Sequence, residues 1–188
     1  MKKVLLHICC GSCACYPYQR LKEEGFEVTG FWYNPNIQPY QEYQRRLMAT
    51  GYFAQNASLK LIANTDYSLK DFLKGILQKD AFEKVRCPFC YQMRMEEAAK
   101  IAKEKNFDYF TTTSLYSKFQ QHNLIKKMGE ELSKKYGVNF YYEDFRKGWK
   151  EGIAISKKMG LYQQNYCGCI FSEAERYKPQ INKFLTTN

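Results

Sequence analysis

Eight cysteines fall into three tight groups, and their spacing is the strongest chemical signal in this sequence. Near the N-terminus lie Cys9, Cys10, Cys13 and Cys15. Two further pairs follow, Cys87–Cys90 and Cys167–Cys169. Cysteines that serve only as small hydrophobic residues are scattered singly through a core, so this clustering indicates metal binding or thiol redox chemistry.

The Cys87–Cys90 pair is compatible with three kinds of site. We expect it at the N-terminus of a helix, behind Arg86, where the helix dipole and the guanidinium both favour thiolates. A thioredoxin-type dithiol would leave the other six cysteines without a role. A zinc site normally takes a second matching knuckle, and the adjacent Cys9 makes Cys10–Cys13 an irregular one. The spacing therefore favours an iron–sulfur cluster over zinc, with both still open.

The C-x-C pair, Cys167-Gly168-Cys169, points to a different chemistry. A disulfide across one intervening residue closes a very small ring, so it is expected to be strained and easily reduced. That property suits a redox-cycling pair better than a structural disulfide. The alternative is that both thiols ligate metal.

The hydrophobic pattern places these groups on an α/β fold. Apolar strands alternate with helices along the chain, which is typical of a parallel sheet with helices on both faces. We predict strands at 4–8, 26–33, 59–63, 107–113 and 138–142, and helices at 18–24, 40–54, 69–77, 91–105, 123–136, 149–159 and 172–177. The prediction is a single α/β domain over residues 1–188, with a mostly parallel sheet of about five strands. This is a Rossmann-like fold of the PP-loop/HUP type.

The first cysteine group is predicted to lie in the loop between the first strand and the first helix, with Pro17 in the first turn of that helix. Such strand-to-helix loops usually hold the chemistry of open α/β sheets. His7 sits in the apolar strand and is predicted to be a hydrogen-bonded core residue. His122 lies in a polar loop, where it is either a substrate contact or an inert surface residue.

The composition narrows the class of protein. The apolar run after Met1-Lys2-Lys3 is too short for a signal peptide, and no segment has the length of a membrane span, so we expect a cytoplasmic protein. No glycine-rich phosphate loop supports a nucleotide cofactor. The 29 basic and 19 acidic residues give a formal charge of +10, which indicates either RNA binding or a lysine-rich solvated surface.

Six sequence blocks together resemble the cobalamin-independent epoxyqueuosine reductases. The blocks are LLHICCGSC, FWYNPNIQP, RCPFCYQMRM, TTTSLYS, YEDFRKG and LYQQNYCGCIFS, and they extend over nearly the whole chain. The resemblance implies an enzyme that acts on tRNA and needs an electron donor. It would reduce the epoxide of epoxyqueuosine, at the wobble position, to the alkene of queuosine.

The resemblance also implies roles for individual cysteines. The ligands of a [4Fe-4S] cluster would be Cys9, Cys10, Cys87 and Cys90. The pair Cys167 and Cys169 would form the redox-active disulfide. Cys13 would be functional, holding an additional iron ion. Cys15 lies in the least typical part of its block and receives no role.

The chemistry of epoxide removal is consistent with these assignments. It needs two electrons and an acid for the departing oxygen; a dithiol supplies two electrons, a cluster supplies them singly, and an open iron site is a Lewis acid. We predict Asp144 as a catalytic proton donor, with Tyr142 and Tyr166 as alternatives. Tyr33 or Tyr40 would stack on splayed anticodon bases unless they belong to the core.

Three other functions compete with this one. A non-catalytic iron–sulfur electron carrier explains the cluster ligands but leaves the C-x-C pair unused. A zinc-stabilised RNA-binding module explains the cysteines and the charge. A tRNA thiolation enzyme has the expected fold and charge, but its ATP-pyrophosphatase loop is absent from this sequence.

Overall fold

A five-stranded parallel sheet forms the centre of the part of the chain that the structure describes. This structure is a computed structural model and describes residues 1–77 and 82–186. The strands are β1 Lys3–His7, β2 Glu27–Trp32, β3 Lys60–Ala63, β4 Tyr109–Thr112 and β5 Asn139–Phe140. Their order is β3-β2-β1-β4-β5, and every neighbouring pair is parallel. The predicted α/β fold is confirmed.

Helices connect these strands and cover the sheet. The described helices are α1 Gly11–Glu23, α2 Tyr40–Asn56, α3 Leu69–Leu77, α4 Phe82–Glu104, α5 His122–Tyr136, α6 Trp149–Lys158 and α7 Ile170–Thr186. Helices α1, α2 and α6 pack together, and α4 packs on α5. The chain adds β2 and β3 on one side of β1, and then β4 and β5 on the other side, so right-handed crossovers put α1 and α2 on one face of the sheet and α4 and α5 on the opposite face. None of the described helices combines the length and the apolar character needed to cross a membrane.

The direction of the strand order reverses at β1, between β2 and β4. Ligands of open α/β sheets bind at such a switch point, beyond the carboxyl ends of the strands. Cys9 and Cys10 follow β1 directly, and Thr113 follows β4. The fold thus brings the first cysteine group to the position where it can act on a ligand.

Helix α1 begins earlier than predicted, and this moves two cysteines out of the predicted loop. Cys13 and Cys15 lie within α1, and Pro17 lies inside the helix instead of in its first turn. The early start is possible because Cys10 caps the helix. Its Sγ accepts a hydrogen bond from the backbone N–H of Cys13 at 3.3 Å, the role that a serine or aspartate oxygen usually has.

Helix α4 also begins earlier than predicted. It starts at Phe82 and continues through Pro88, so the Cys87–Cys90 pair lies inside the helix and the predicted placement at its N-terminus is wrong. The spacing of three residues puts the two thiols on one face of α4. Away from the helix end, the macrodipole gives these thiols little stabilisation as thiolates. The last helix, α7, also extends well beyond the predicted 172–177.

Gly11 lets α1 start close against α2. A Cβ atom at this position would lie 2.4 Å from the carbonyl oxygen of Ala49, a backbone atom that cannot turn aside. By contrast, a Cβ atom at Gly51, inside α2, would meet nothing within 4 Å. An added side chain would therefore clash with the backbone at Gly11 but not at Gly51.

We expect Gly11→Ala to destabilise the protein by about 1–3 kcal/mol, the usual cost of overpacking. Its matched control, Gly51→Ala, should stabilise the protein by about 0.5–1 kcal/mol, because it removes a glycine from a helix interior at an open position. Urea unfolding followed by circular dichroism measures both. Equal effects of the two substitutions would show that the approach of α1 to α2 imposes no constraint.

Candidate active site

Three thiols converge at the start of α1. The Sγ atoms of Cys9, Cys10 and Cys13 all lie within 4.8 Å of one another, and those of Cys9 and Cys10 are 3.9 Å apart. Cys10 and Cys13 are buried and Cys9 is half-buried. Among the described residues, this is the one set of three or more potential metal ligands with such close donor atoms.

Cys9 is held in place by residues that follow the neighbouring strands. Its backbone N–H donates to Oγ1 of Thr113 at 3.1 Å, and that hydroxyl lies 3.3 Å from Sγ of Cys9. The end of β1 is fixed in turn by Asn34, whose Nδ2 donates to the carbonyl of Ile8 at 2.8 Å. Residues that follow β1, β2 and β4 together set the position of this thiol.

His7 is a satisfied core residue, as predicted. Its ring is fully buried, with Nδ1 at 2.9 Å from Oγ1 of Thr112 and Nε2 at 3.1 Å from the carbonyl oxygen of Tyr33. Burial lowers its pKa to about 4, so the ring is neutral at physiological pH. The ring lies at the carboxyl end of β1, two residues before Cys9.

The three thiols differ in acidity. Hydrogen bonding from the Cys10 and Cys13 thiols holds the pKa of Cys9 well below its ordinary value. Burial raises the pKa of Cys10 to about 12, and the thiols of Cys10 and Cys9 raise that of Cys13. Cys9 is therefore the most acidic of the three thiols, and a bound metal ion would favour deprotonation of the other two.

Gln164 contacts this group and has no counterpart among the residues predicted from the sequence. Its Nε2 donates to Sγ of Cys10 at 2.8 Å and to Sγ of Cys13 at 3.0 Å. Its Oε1 accepts a hydrogen bond from Ser12 at 2.9 Å. No sequence signal marks this residue, because the contact joins positions about 150 residues apart.

Cys15 lies outside the group. It is buried in the core, and its Sγ donates to the carbonyl of Gly11, one helical turn away, at 3.5 Å. Burial raises its pKa to about 12. Its contacts are those of a structural residue of α1.

Cys87 and Cys90 do not belong to the close group of Cys9, Cys10 and Cys13. Cys90 packs against a small apolar cluster that includes Cys169, between α3, α4 and the start of α7. Burial raises the pKa of Cys87 and raises that of Cys90 to about 11. Arg86 lowers the pKa of Cys87, as predicted, but burial outweighs this effect.

Arg94 connects the three cysteine groups electrostatically. Its side chain is buried on α4, and Nε donates to the carbonyl of Cys90 at 3.1 Å. Its charge lowers the pKa of Cys9, Cys90 and Cys167, one thiol from each group. Burial lowers the pKa of Arg94 itself, and Cys90, Cys9 and Tyr91 raise it above its ordinary value.

The Cys167–Cys169 pair consists of one exposed and one buried thiol. The two Sγ atoms are 3.9 Å apart, and the hydroxyl of Ser172 lies 3.0 Å from Sγ of Cys167. Hydrogen bonding from Cys169 lowers the pKa of Cys167 to about 5, while that interaction and burial raise the pKa of Cys169. Cys167 is thus a thiolate beside a protonated partner, which is the arrangement of a nucleophile and its resolving thiol.

A buried arginine clamps the backbone of this pair. Arg46 on α2 donates from Nη2 to the carbonyl of Tyr166 and from Nη1 to that of Cys167, both at 3.0 Å. Its Nε donates to Glu42 at 2.6 Å, and Glu42 also accepts from the hydroxyl of Tyr162. The arginine and its carboxylate are both buried, so the guanidinium has a fixed orientation toward the loop.

The loop between the two cysteines requires glycine. Gly168 has φ +125°, and a Cβ atom there would lie 3.0 Å from Cγ1 of Ile37 and 3.2 Å from Nη1 of Arg46. Gln38 completes the clamp: its N–H donates to the Gly168 carbonyl at 2.7 Å, and its Oε1 accepts from the N–H of Ile170 at 3.2 Å.

Asp144 pairs with Arg146 at a distance from these contacts. Both carboxylate oxygens accept from the Arg146 guanidinium at 2.7 Å, and Oδ1 also caps a short 3-10 turn, Phe145–Gly148. Hydrogen bonding from Arg146 lowers its pKa to about 2. Its role as a proton donor stays a prediction, and it would require this ion pair to open. Tyr142, the alternative, bonds to Nε2 of His122 at 3.1 Å.

A cavity of about 370 Å³ opens beside the Cys167 loop. Its lining includes Arg45, Tyr162 and Tyr166, together with side-chain amides and the carboxylates of Glu42 and Glu173. Of the aromatics predicted to stack on bases, Tyr33 is buried in the core, whereas Tyr40, next to the cavity residue Pro39, is 57 % exposed. The surface next to the C-x-C pair therefore offers one arginine together with aromatic, amide and carboxylate groups.

The thiols and their surroundings suit an iron–sulfur group. Three sulfur donors converge, a buried guanidinium lacks a carboxylate partner among the described residues, and amide N–H groups point at two of the sulfurs. A thiolate-bound metal cluster supplies the negative charge that the guanidinium needs, and it accepts the amide hydrogen bonds. Cys9, Cys10 and Cys13 are therefore consistent with the iron–sulfur cofactor that the sequence predicts, whereas the predicted ligands Cys87 and Cys90 lie outside this close group.

Comparison with known proteins identifies relatives along nearly the full length of the chain. A family model described as "Epoxyqueuosine reductase QueH" matches residues 4–175. The chain is 37% identical over 175 residues to the epoxyqueuosine reductase QueH of Dehalococcoides mccartyi, covering 93% of this chain and 94% of that protein. It is 34% identical over 183 residues to that of Thermotoga maritima, covering 94% and 93%.

Two solved structures share the fold. One is described as a predicted subunit of tRNA methyltransferase from Methanocaldococcus jannaschii, with a TM-score of 0.57, 13% identity and coverage of 84% of this chain and 75% of that one. The other is the U34-tRNA thiolase NcsA of Methanococcus maripaludis with its [4Fe-4S] cluster, with a TM-score of 0.54, 15% identity and coverage of 96% and 66%. At these identities the likeness concerns the fold alone.

The buried contacts of Arg46 predict that replacing this residue will strongly destabilise the protein. Arg46→Met leaves Glu42 buried without its partner, and we expect a loss of about 3–5 kcal/mol in the free energy of unfolding. Arg45→Met, at the exposed neighbouring position, should change it by no more than about 0.5 kcal/mol. Urea unfolding of both variants measures the difference. A small effect of Arg46→Met would mean that the ion pair does not hold the loop.

The acidity of Cys167 predicts an unusual pH profile for its alkylation. The pKa of Cys167 is lowered, so its thiolate is present above about pH 5 and is lost as the pH falls through that value. Iodoacetamide labelling of reduced, metal-free protein, read by peptide mass spectrometry, should be half-maximal near pH 5. In Cys169→Ala the midpoint should rise toward the ordinary value of about 8.5, because the donor is lost. A wild-type midpoint above pH 8 would contradict the assignment; Cys90 is the internal control and should react only in alkali.

Proposed function

Because this chain belongs to the epoxyqueuosine reductase QueH family, we propose that it reduces the epoxide of epoxyqueuosine in tRNA, at the wobble position, to the alkene of queuosine. The observation that carries this proposal is the convergence of Cys9, Cys10 and Cys13 beyond the carboxyl end of β1, with Gln164 joining them to the segment that carries Cys167 and Cys169. An electron carrier would need the metal ligands only. This site also has an exposed thiolate with a resolving thiol.

The C-x-C pair can supply the electrons and protons that the reaction consumes. Converting an epoxide to an alkene and water consumes two electrons and two protons. Oxidation of Cys167 and Cys169 to a disulfide releases two electrons and two protons, counting the proton already taken from Cys167 by solvent. An external electron donor must then reduce the disulfide before the next turnover. The support for this role is the 3.9 Å separation of the sulfurs and the accessibility of Cys167.

We propose Cys9, Cys10, Cys87 and Cys90 as ligands of a [4Fe-4S] cluster, with Cys13 beside it as a ligand for an additional iron. When bound, such a group supplies single electrons and a Lewis-acidic iron for the departing oxygen. Support comes from Arg94, whose charge acts on one thiol of each ligand pair, Cys9 and Cys90.

The tRNA would approach across the surface beside the Cys167 loop. A formal charge of +10 favours a polyanion, and the strength of such binding falls with salt. Arg45 at the cavity is available for a phosphate, and the exposed ring of Tyr40 for stacking on an unpaired base. The cavity adjoins Tyr166, so a nucleotide in it would neighbour the reactive thiolate.

Anaerobic turnover tests the proposed function. Reconstituted protein, a chemical reductant and tRNA carrying epoxyqueuosine should yield queuosine, detected after nuclease digestion as loss of one oxygen atom by mass spectrometry. Cys167→Ser should abolish conversion while iron and sulfide contents stay at wild-type levels. The matched control is Cys15→Ser, which keeps a donor to the Gly11 carbonyl and should retain turnover within about twofold, because the site lies elsewhere.

Two outcomes would overturn the proposal. Wild-type protein with a full iron complement that leaves epoxyqueuosine unchanged would indicate an electron carrier. A colourless protein that contains zinc and no acid-labile sulfide would indicate a zinc-stabilised RNA-binding module.

A further inference from the structure

Gln164 links the segment that carries the C-x-C pair to the first cysteine group. It precedes Cys167 by three residues, between α6 and α7, and its side chain reaches the start of α1. There, Nε2 lies 2.8 Å from Sγ of Cys10 and 3.0 Å from Sγ of Cys13. One side-chain amide thus donates to two of the three converging sulfurs.

Ser12 contacts the other end of this amide. The Ser12 hydroxyl donates to Oε1 of Gln164 at 2.9 Å, and the NH₂ group of the same amide faces the sulfurs. A glutamine held at both ends presents its donors without the cost of ordering them when charge develops. The contact is therefore a built feature of the site.

We propose that Gln164 is a positioning residue that raises the reduction potential of the metal group held by these cysteines. One-electron reduction adds one negative charge to a metal–thiolate group, and that charge spreads onto the sulfurs. N–H donors at the sulfurs stabilise the reduced form more than the oxidised form, which raises the potential. This inference rests on the proposed function only for the identity of the metal group.

The tuning matters for this reaction because the electrons must reach the metal group from a donor and leave it for the substrate side. Gln164 sits in the short segment that leads to Cys167, and Arg46 fixes the carbonyls of Tyr166 and Cys167 at the far end of that segment. The segment therefore holds the amide donors and the redox thiolate in one fixed relation.

Potentiometric titration of the reconstituted protein, followed by electron paramagnetic resonance, tests the inference without any RNA. Gln164→Met keeps the length of the side chain and removes both donors. We expect its reduction equilibrium to shift about tenfold toward the oxidised form, which is about 59 mV for a one-electron couple. Gln164→Glu, which also adds negative charge, should shift it further in the same direction.

Gln163→Met is the matched control. The Gln163 amide donates to Ser156 and to the carbonyl of Leu161, and not to a cysteine, so its loss should leave the potential unchanged. Ser12→Ala keeps Gln164 but frees its amide, and it should give an intermediate shift. Iron and sulfide contents, measured on each variant, show that the same group is compared.

The possible results separate this inference from the proposed function. A wild-type protein that binds no redox-active metal would overturn the cofactor assignment and this inference with it. A loaded Gln164→Met variant with the wild-type potential would overturn the inference alone. If Gln164→Met does not load, Gln164→Glu and Ser12→Ala decide: wild-type potentials in both would equally overturn it.

Discussion

A guanidinium buried away from carboxylates imposes the main constraint on this site. Arg94 is buried on α4; burial lowers its pKa, and the nearby groups Cys90, Cys9 and Tyr91 more than offset this. Such a charge is tolerated only where other groups compensate it, since an uncompensated buried charge is very costly. Cysteines that become thiolates on binding a metal would supply that compensation. Metal binding, which deprotonates thiols, and the placement of Arg94 therefore favour each other.

The second buried arginine, Arg46, has a carboxylate partner. Glu42 neutralises its charge, and Nη1 and Nη2 of Arg46 donate to two backbone carbonyls of the C-x-C segment. Arg94 therefore places positive charge near the sulfurs, whereas Arg46 fixes the position of the C-x-C backbone. The asymmetry between an acidic Cys167 and a protonated Cys169 arises within this fixed loop.

The sequence predicted the elements well and the site only in part. The spacing of apolar residues and the positions of turn residues were sufficient to predict the strands and helices such as α3. The order of the strands in the sheet depends on crossover connections, which leave no local signal in the sequence. The starts of α1 and α4 were missed because Cys10 caps one helix with sulfur and Pro88 is tolerated inside the other. Arg94 follows Cys90 by four residues, and Arg46 follows Glu42 by four; helical spacing marks both pairs. Gln164 depends on tertiary structure alone.

The pairing of β1 with β4 has a consequence for how the protein is made. The strand that leads to Cys9 is synthesised about a hundred residues before its partner β4 and the hydroxyl of Thr113. During that interval Cys9 lacks the contact that positions it in the folded protein. The environment of Cys9 is therefore completed only after β4 has been made and has paired with β1.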